Sequence, residues 1–325
     1  MANQTIEVPS GIGITYLAND LYQKGLIRNP RLFVFMARLS GDVHLLKAGE
    51  YEIKPGMTPP DFLAHVVTGK VYQRSITFIE GWTFQQYLQA LSQNPYITHQ
   101  FQHLSYPAIM QKIGYPGRHP EGLFFPDTYF FTRGEADVSI LKQSYDRMHK
   151  IMVNAWVSRD VDVPYKNAYE ALIVASLIEK ETNVADERAK IAGVILRRLQ
   201  KGMLLQVDPT VLYGLGRPFG SEITKHDLAS QTDYNTYRRF GLPPTPIDMP
   251  GRASIEAALH PTDGHTLYYV ATGNGGHIFS DTYHEHLKAV KQYRQQSESN
   301  EDMLIGFPDA INTIQKIMNT IEHAH

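Results

Sequence analysis

Two carboxylates, Glu179 and Glu181, close an apolar run with Lys180 between them. A carboxyl at the edge of an apolar surface is a candidate for general acid–base work, because partial desolvation disfavours its charged form and raises its pKa toward neutrality. Asn167 to Thr182 has the pattern of one helix. Within it Val174, Leu177, Ile178 and Glu181 stand at i, i+3, i+4 and i+7 and share a face. Glu181 therefore ends an apolar stripe, where the negative end of the helix dipole acts in the same direction as desolvation. Glu179 lies about 200° away at ~100° per residue, so the two acids do not face each other. On this pattern alone a salt bridge from Glu181 to a neighbour such as Arg188 is the simpler explanation of the residue.

Other groups able to bind follow. The segment Gly202-Met203-Leu204-Leu205-Gln206-Val207-Asp208-Pro209-Thr210 and the pair of segments Tyr234-Asn235-Thr236-Tyr237 and Gly241-Leu242-Pro243-Pro244 interleave amides, hydroxyls and an acid with turn formers. They suit directed hydrogen bonds to a polyhydroxylated ligand better than a dry core. Asp208 is open to a second reading, since an Asp-Pro-Thr turn often uses its carboxylate to cap backbone N–H groups. The fourteen histidines invite a metal, but there is no H-E-x-x-H, His284 and His286 point to different helix faces, and His260, His265 and His277 have no ligand spacing. No metal site and no cofactor is expected.

The elements that must position these groups are legible in outline. A chain of 325 residues with 42% hydrophobic and 20% charged residues has room for about two globular domains. A net charge of -2 with no basic cluster gives no sign of a nucleic-acid partner. The absence of cysteine excludes thiolate zinc sites, cysteine nucleophiles and disulfides. No apolar run reaches the ~18 residues of a membrane span, and no signal peptide is visible. Three stretches read as strand, glycine turn and helix: Ile6–Val8 with Gly11 and then Leu17 and Leu21; Tyr51–Ile53 with Gly56 and then a helix capped by Thr58; Ile76–Ile79 with Gly81 and then a helix capped by Thr83. The turn-rich aromatic segment 117–135 reads as a loop packed on a core, with a sugar-binding wall as the alternative. A helix from Asp186 to Lys201, with Ala192, Ile195, Leu196 and Leu199 as its stripe and Gly202 as its stop, follows the acidic run. Pro308 to His325 forms an amphipathic pattern without a recognisable role.

Several blocks together carry a resemblance: Ala175-Ser176-Leu177-Ile178-Glu179-Lys180-Glu181-Thr182, Glu187-Arg188, Arg198-Leu199, Gly202 to Gly214, Glu121 to Thr128, Tyr234 to Arg238 and Gly275 to Phe279. In this order they resemble the YceG-like endolytic murein transglycosylases, over about Ile6 to Tyr293. The resemblance implies an α+β chain: residues 1–75 with a LysM-like glycan-binding subdomain at about 45–75, a lysozyme-like and mainly helical catalytic domain at 76–295, and a C-terminal extension at 296–325. It implies Glu181 as the catalytic acid/base, with Gln206 and Asn235 lining the cleft, Tyr234 and Tyr237 shaping its walls, and Asp208 as a further binding residue. Peptidoglycan glycan strands would be the substrate, and the family admits peptidoglycan synthases as partners. A membrane anchor ahead of Ile6 would place the chain on the outer side of the cytoplasmic membrane. A hydrolytic muramidase using Asp208 as second acid and a non-catalytic glycan-binding scaffold are the rival expectations.

Overall fold

The structure, a computed structural model, describes residues 4–273 and 275–293. The chain divides into two compact units. One comprises the residues up to Ile79, Phe84–Pro120 and Pro126–Arg147; the other comprises Glu80–Thr83, Glu121–Phe125 and the chain from Met148 onward. Both mix helices with two-stranded antiparallel sheets, in agreement with the α+β expectation.

In the first unit, β1 (Gln4–Val8) pairs antiparallel with β2 (Gly49–Ile53), Ile6 standing opposite Tyr51. Alternation along β1 buries Ile6 and Val8. Against them pack α1 (Ile14–Gln23), α2 (Pro30–Leu39) and α3 (Pro59–Thr68), through Leu17, Leu21, Phe33 and Phe62. Thr58 and Asp61 form a reciprocal capping box at the start of α3. β3 (Arg74–Thr77) pairs antiparallel with β4 (Thr128–Phe131), and α4 (Phe84–Ser92), α5 (Tyr106–Lys112) and the first part of α6 (Asp137–Val157) complete the unit. The three expected strand–turn–helix stretches all form. α2, between the first and second, was not anticipated; its signal is Asn29, whose side chain accepts from Leu32 N, followed by Pro30 in the first turn. In the aromatic segment Phe124, Phe125, Tyr129 and Phe131 are buried, while Phe130 is exposed.

Buried Glu50 on β2 and Arg74 on β3 join the two sheets of this unit. Arg74 Nε and Nη2 donate to the two Glu50 oxygens at 2.8 and 2.7 Å, and the guanidinium stacks 3.3 Å over the Tyr96 ring.

The second unit is built around α7 (Ala168–Glu181). Asn167 caps it by accepting from Glu170 N at 3.0 Å, and every residue from Ala171 to Ile178 is buried. α8 (Arg188–Gln200) and α11 (Arg252–Leu259) pack against α7 and against each other. A short 3-10 turn, Ala185–Glu187, precedes α8. α8 buries Ile191, Val194 and Arg198 as well as Ala192 and Ile195, while Leu196 and Leu199 are only partly buried, so its inner face is turned from the expected stripe. At Gly193 a β-carbon would lie 2.4 Å from Thr262 O, which only glycine permits. α9 (Asp208–Gly214), α10 (Lys225–Leu228), and the hairpin of β5 (Tyr268–Ala271) and β6 (His277–Ser280) follow. Among the described residues no helix is long and apolar enough to cross a membrane. The expected C-terminal extension lies outside the described residues.

The Glu50–Arg74 pair gives a stability test. Arg74→Met leaves the buried carboxylate with only the exposed Arg133, 4.0 Å away, and is expected to lower the unfolding free energy by about 3 kcal/mol. Adding Glu50→Leu should recover much of that loss. Urea unfolding of the two single variants and the double variant measures both effects.

Candidate active site

α7 places one acid at the rim of a cavity. Glu181 is the last residue of the helix, and Thr182 takes an extended conformation directly after it. Its half-buried carboxylate faces a cavity of about 610 Å³ lined by Arg198, Gln206, Asp208, Tyr237, Tyr269 and His277, among others. Burial pushes the Glu181 carboxyl up to about 7; a hydrogen bond from Tyr269 and the Arg198 charge pull it down, while Asp208 pushes with the burial. The salt bridge to Arg188 that the sequence allowed is not the arrangement found: Arg188 lies near Glu80 instead.

Glu179 has a different role. Its Oε2 accepts from Gly251 N at 3.0 Å and from Ser254 Oγ at 2.6 Å, which caps the start of α11. Glu179 and Glu181 thus leave α7 on different faces.

Gln206, Asp208 and Tyr237 come together on the cavity wall because two segments are laced through Thr236. Gln206 N donates to Thr236 O at 3.1 Å, Val207 N donates to Thr236 Oγ1 at 2.9 Å, and Thr210 Oγ1 lies 2.9 Å from the same hydroxyl. These bonds hold Gln206 at φ +55°, a left-handed conformation that costs a non-glycine residue about 1–2 kcal/mol. Its side chain accepts from Arg198 Nη1 at 3.2 Å. Asp208 opens α9, and its carboxylate accepts the Tyr237 hydroxyl proton rather than capping the helix. Burial, with Asp208 close by, raises the Tyr237 phenol.

Tyr234 and Asn235 are placed elsewhere. Tyr234 packs edge-on to Tyr213 at 4.8 Å, and its hydroxyl meets Thr245 Oγ1 at 2.8 Å. Asn235 is fully buried. Its Nδ2 donates to Leu228 O and Ser230 O, and its Oδ1 accepts from Tyr237 N at 2.9 Å. With its amide consumed in this way, Asn235 lies outside the cavity wall and fixes the backbone that presents Tyr237.

Sequence reasoning missed several wall residues. Arg198 is buried in α8 and donates to Leu267 O, Leu204 O and Leu205 O. It thereby ties the Gln206 segment to β5. Tyr268 and Tyr269 come from β5, His277 from β6, and Tyr283 and His286 from the helical segment beyond. Their signal was the pairing of a Tyr-Tyr strand with a Gly-Gly-His strand, readable only as a hairpin. His277 Nδ1 lies 2.7 Å from Glu187 Oε2. No group of His, Asp or Glu among the described residues is arranged to hold a metal ion.

This geometry can be set beside known proteins. The YceG-like family matches residues 6–292, and the chain belongs to that family. It is similar to the endolytic murein transglycosylase of Bacillus subtilis, with 30% identity over 305 residues, covering 89% of this chain and 84% of the relative. The endolytic murein transglycosylase of Streptococcus pneumoniae strain D39 is 26% identical over 327 residues, and the match spans 58% of that longer protein. The crystal structure of a YceG-like protein from Listeria monocytogenes superposes with a TM-score of 0.56 at 30% identity, over 88% of this chain and 98% of that one.

The acid at the cavity gives a signed pH prediction. Glu181 ionises near 4.5 when unfolded and near 7 when folded, so between those values the folded chain keeps a proton the unfolded chain has lost. Its contribution is complete below about pH 4.5 and is lost as pH rises toward 7, by roughly 3 kcal/mol over the window. Glu181→Gln removes this titration. The variant should exceed the wild type in stability at pH 8 by up to roughly 3 kcal/mol, with the excess shrinking as pH falls toward 4.5. Denaturant unfolding at the two pH values checks the difference.

Proposed function

We propose that the chain is a peptidoglycan lytic transglycosylase that cuts glycan strands internally, between N-acetylmuramic acid and N-acetylglucosamine. The observation that carries this reading is the Glu181 carboxyl at the end of a buried helix, raised to about 7 and facing a tyrosine-rich cavity. Such a group is largely protonated below neutrality and can serve as acid and then as base.

Glu181 donates its proton to the glycosidic oxygen as the bond to the muramyl anomeric carbon breaks. The muramyl 2-acetamido oxygen supports that carbon. The Glu181 carboxylate then takes the proton of the muramyl O6 hydroxyl, and O6 closes on the anomeric carbon as a 1,6-anhydro ring. No water is consumed and no cofactor is required. Gln206, Asp208 and Tyr237 supply amide, carboxylate and phenol groups to the sugar, and Asn235 contributes through the Tyr237 backbone. Tyr234 supports the wall from behind.

The finer setting belongs to the same proposal. The region around 45–75 acts as a LysM-like grip on the strand. An anchor ahead of Ile6 holds the chain on the outer side of the cytoplasmic membrane, where cleavage beside the synthases would end strand elongation. Asp208, on the same cavity wall as Glu181, favours one second reading: a hydrolytic muramidase with Asp208 as the other carboxylate.

Mass spectrometry of products from purified glycan strands tests both. Lytic cleavage gives anhydromuramyl ends, hydrolysis gives reducing ends heavier by one water, and binding without new ends would mark a scaffold. Glu181→Gln should lose about 10⁴-fold or more in turnover, because one group serves both proton transfers. Glu179→Gln should keep most of its turnover and lose about 1 kcal/mol of stability through the weakened α11 cap. Equal losses of activity in the two variants, with unchanged melting, would show that the acid is wrongly assigned.

A further inference from the structure

We infer that Tyr269, held in turn by His277 and Glu187, is the positioning residue of Glu181, fixing its carboxylate between the two proton transfers. This rests on the reading of Glu181 as the acid/base. The geometry is a closed ring of contacts. The Tyr269 hydroxyl donates to the Glu181 carboxylate. The Tyr269 ring meets the His277 ring edge-on, at 5.4 Å and 90°. His277 donates its backbone N–H to Glu187 Oε1 at 2.8 Å, and its Nδ1 meets Glu187 Oε2 at 2.7 Å. Glu187 Oε2 also accepts from Thr182 Oγ1 at 3.1 Å, and Thr182 is bonded in the chain to Glu181.

Strand pairing builds half of this ring. Ala271 stands opposite His277 and Tyr269 opposite Phe279, so Tyr269 and His277 are diagonal neighbours on one face of the hairpin, within reach of ring contact. The other half is the 3-10 turn Ala185–Glu187, which returns buried Glu187 beneath the end of α7. Burial acts to raise the Glu187 carboxyl, and the bonds from His277 and Thr182 outweigh it and hold it below its ordinary range.

The charged and titratable groups facing Glu181 make the role specific. Asp208 from α9 and burial favour the neutral acid; Arg198 from α8 and the Tyr269 hydroxyl from β5 favour the carboxylate. Tyr237, Tyr268, His277, Tyr283 and His286 are the other titratable groups on the cavity wall. Burial and the Glu181 charge push the Tyr269 phenol far above its ordinary value, so it keeps its proton throughout and acts only as a donor. When Glu181 has given up its proton, the phenol bond strengthens on the carboxylate. It relaxes when O6 returns a proton.

Tyr269→Phe keeps the ring packing and removes the donor. Anhydromuramyl-end formation on glycan strands is measured from pH 4.5 to 9, and the Glu181 carboxyl is titrated by carbon-13 NMR in labelled protein without substrate. The expected result is a fall in kcat of about tenfold or more with little change in KM. The high-pH limb of the rate profile and the NMR midpoint should both move up, by about half a unit or more. Glu187→Ala should lower kcat and Glu187→Gln should restore most of it, since the amide oxygen can take the His277 backbone N–H while its NH2 donates to His277 Nδ1 and Thr182 Oγ1. A slower Tyr269→Phe enzyme with an unmoved midpoint, or an unchanged enzyme, overturns the inference. Continued cleavage by Glu181→Gln would instead overturn the acid/base reading, and the NMR midpoint would still decide whether Tyr269 holds Glu181.

Discussion

The chemistry depends on the burial of α7 from Ala171 to Ile178, directly ahead of its terminal acid. A carboxylate is costly to desolvate, and a helix that is merely amphipathic would leave its terminal acid in water. Here Ala171 to Ile178 are buried on every side, and the helix stops at the cavity wall. The apolar packing that stabilises the second unit thus also sets the dielectric around Glu181. α8, α9 and α11 all touch α7, so each neighbour that makes the core also supplies part of the cavity or its support: Arg198 from α8, Asp208 from α9, and the α11 cap taken up by Glu179.

The opposite wall is organised by hydrogen bonds. Thr236, a buried residue, fixes the positions of Gln206 and Val207 and thereby of Asp208. Its neighbour Asn235 fixes Tyr237 from the other side. A left-handed Gln206 is tolerable because both adjoining N–H groups are satisfied by Thr236. The wall is therefore preorganised before any sugar arrives, which suits a site that must align several groups with one proton donor.

What was legible in the sequence follows the range of the interactions involved. The bounds of α7 could be read from Asn167 and from the apolar spacing, because caps and periodicity are local. Thr58 and its helix were legible for the same reason. The gathering of Gln206, Asp208 and Tyr237 was suggested by residue type and by the family resemblance, since nothing local joins residues 206–208 to residue 237. Asn235 was expected at the ligand because an exposed amide and a buried structural amide look identical in sequence; only its three partners distinguish them. The hairpin residues Tyr269 and His277 were invisible as a pair, because their meeting depends on strand register across a turn.

The run Glu179-Lys180-Glu181 shows why neighbouring like residues acquire unlike chemistry. Successive helix positions diverge by about 100°, so the three side chains enter three environments. Glu179 reaches the N-terminus of α11, where it accepts the Gly251 N–H and the Ser254 hydroxyl. Lys180 stands near the C-terminus of α7, its ammonium 4.3 Å from the centre of the Phe219 ring, and its charge complements the negative end of that helix. Glu181 meets that same negative end, a low-dielectric wall and the charge of Asp208, opposed by Tyr269 and Arg198. Its proton is held more tightly than an ordinary carboxyl's and yet remains transferable. Burial alone would make an inert neutral acid and hydrogen bonds alone an inert carboxylate; reactivity near neutrality requires both on the same group, and within this run only the end of α7 provides them.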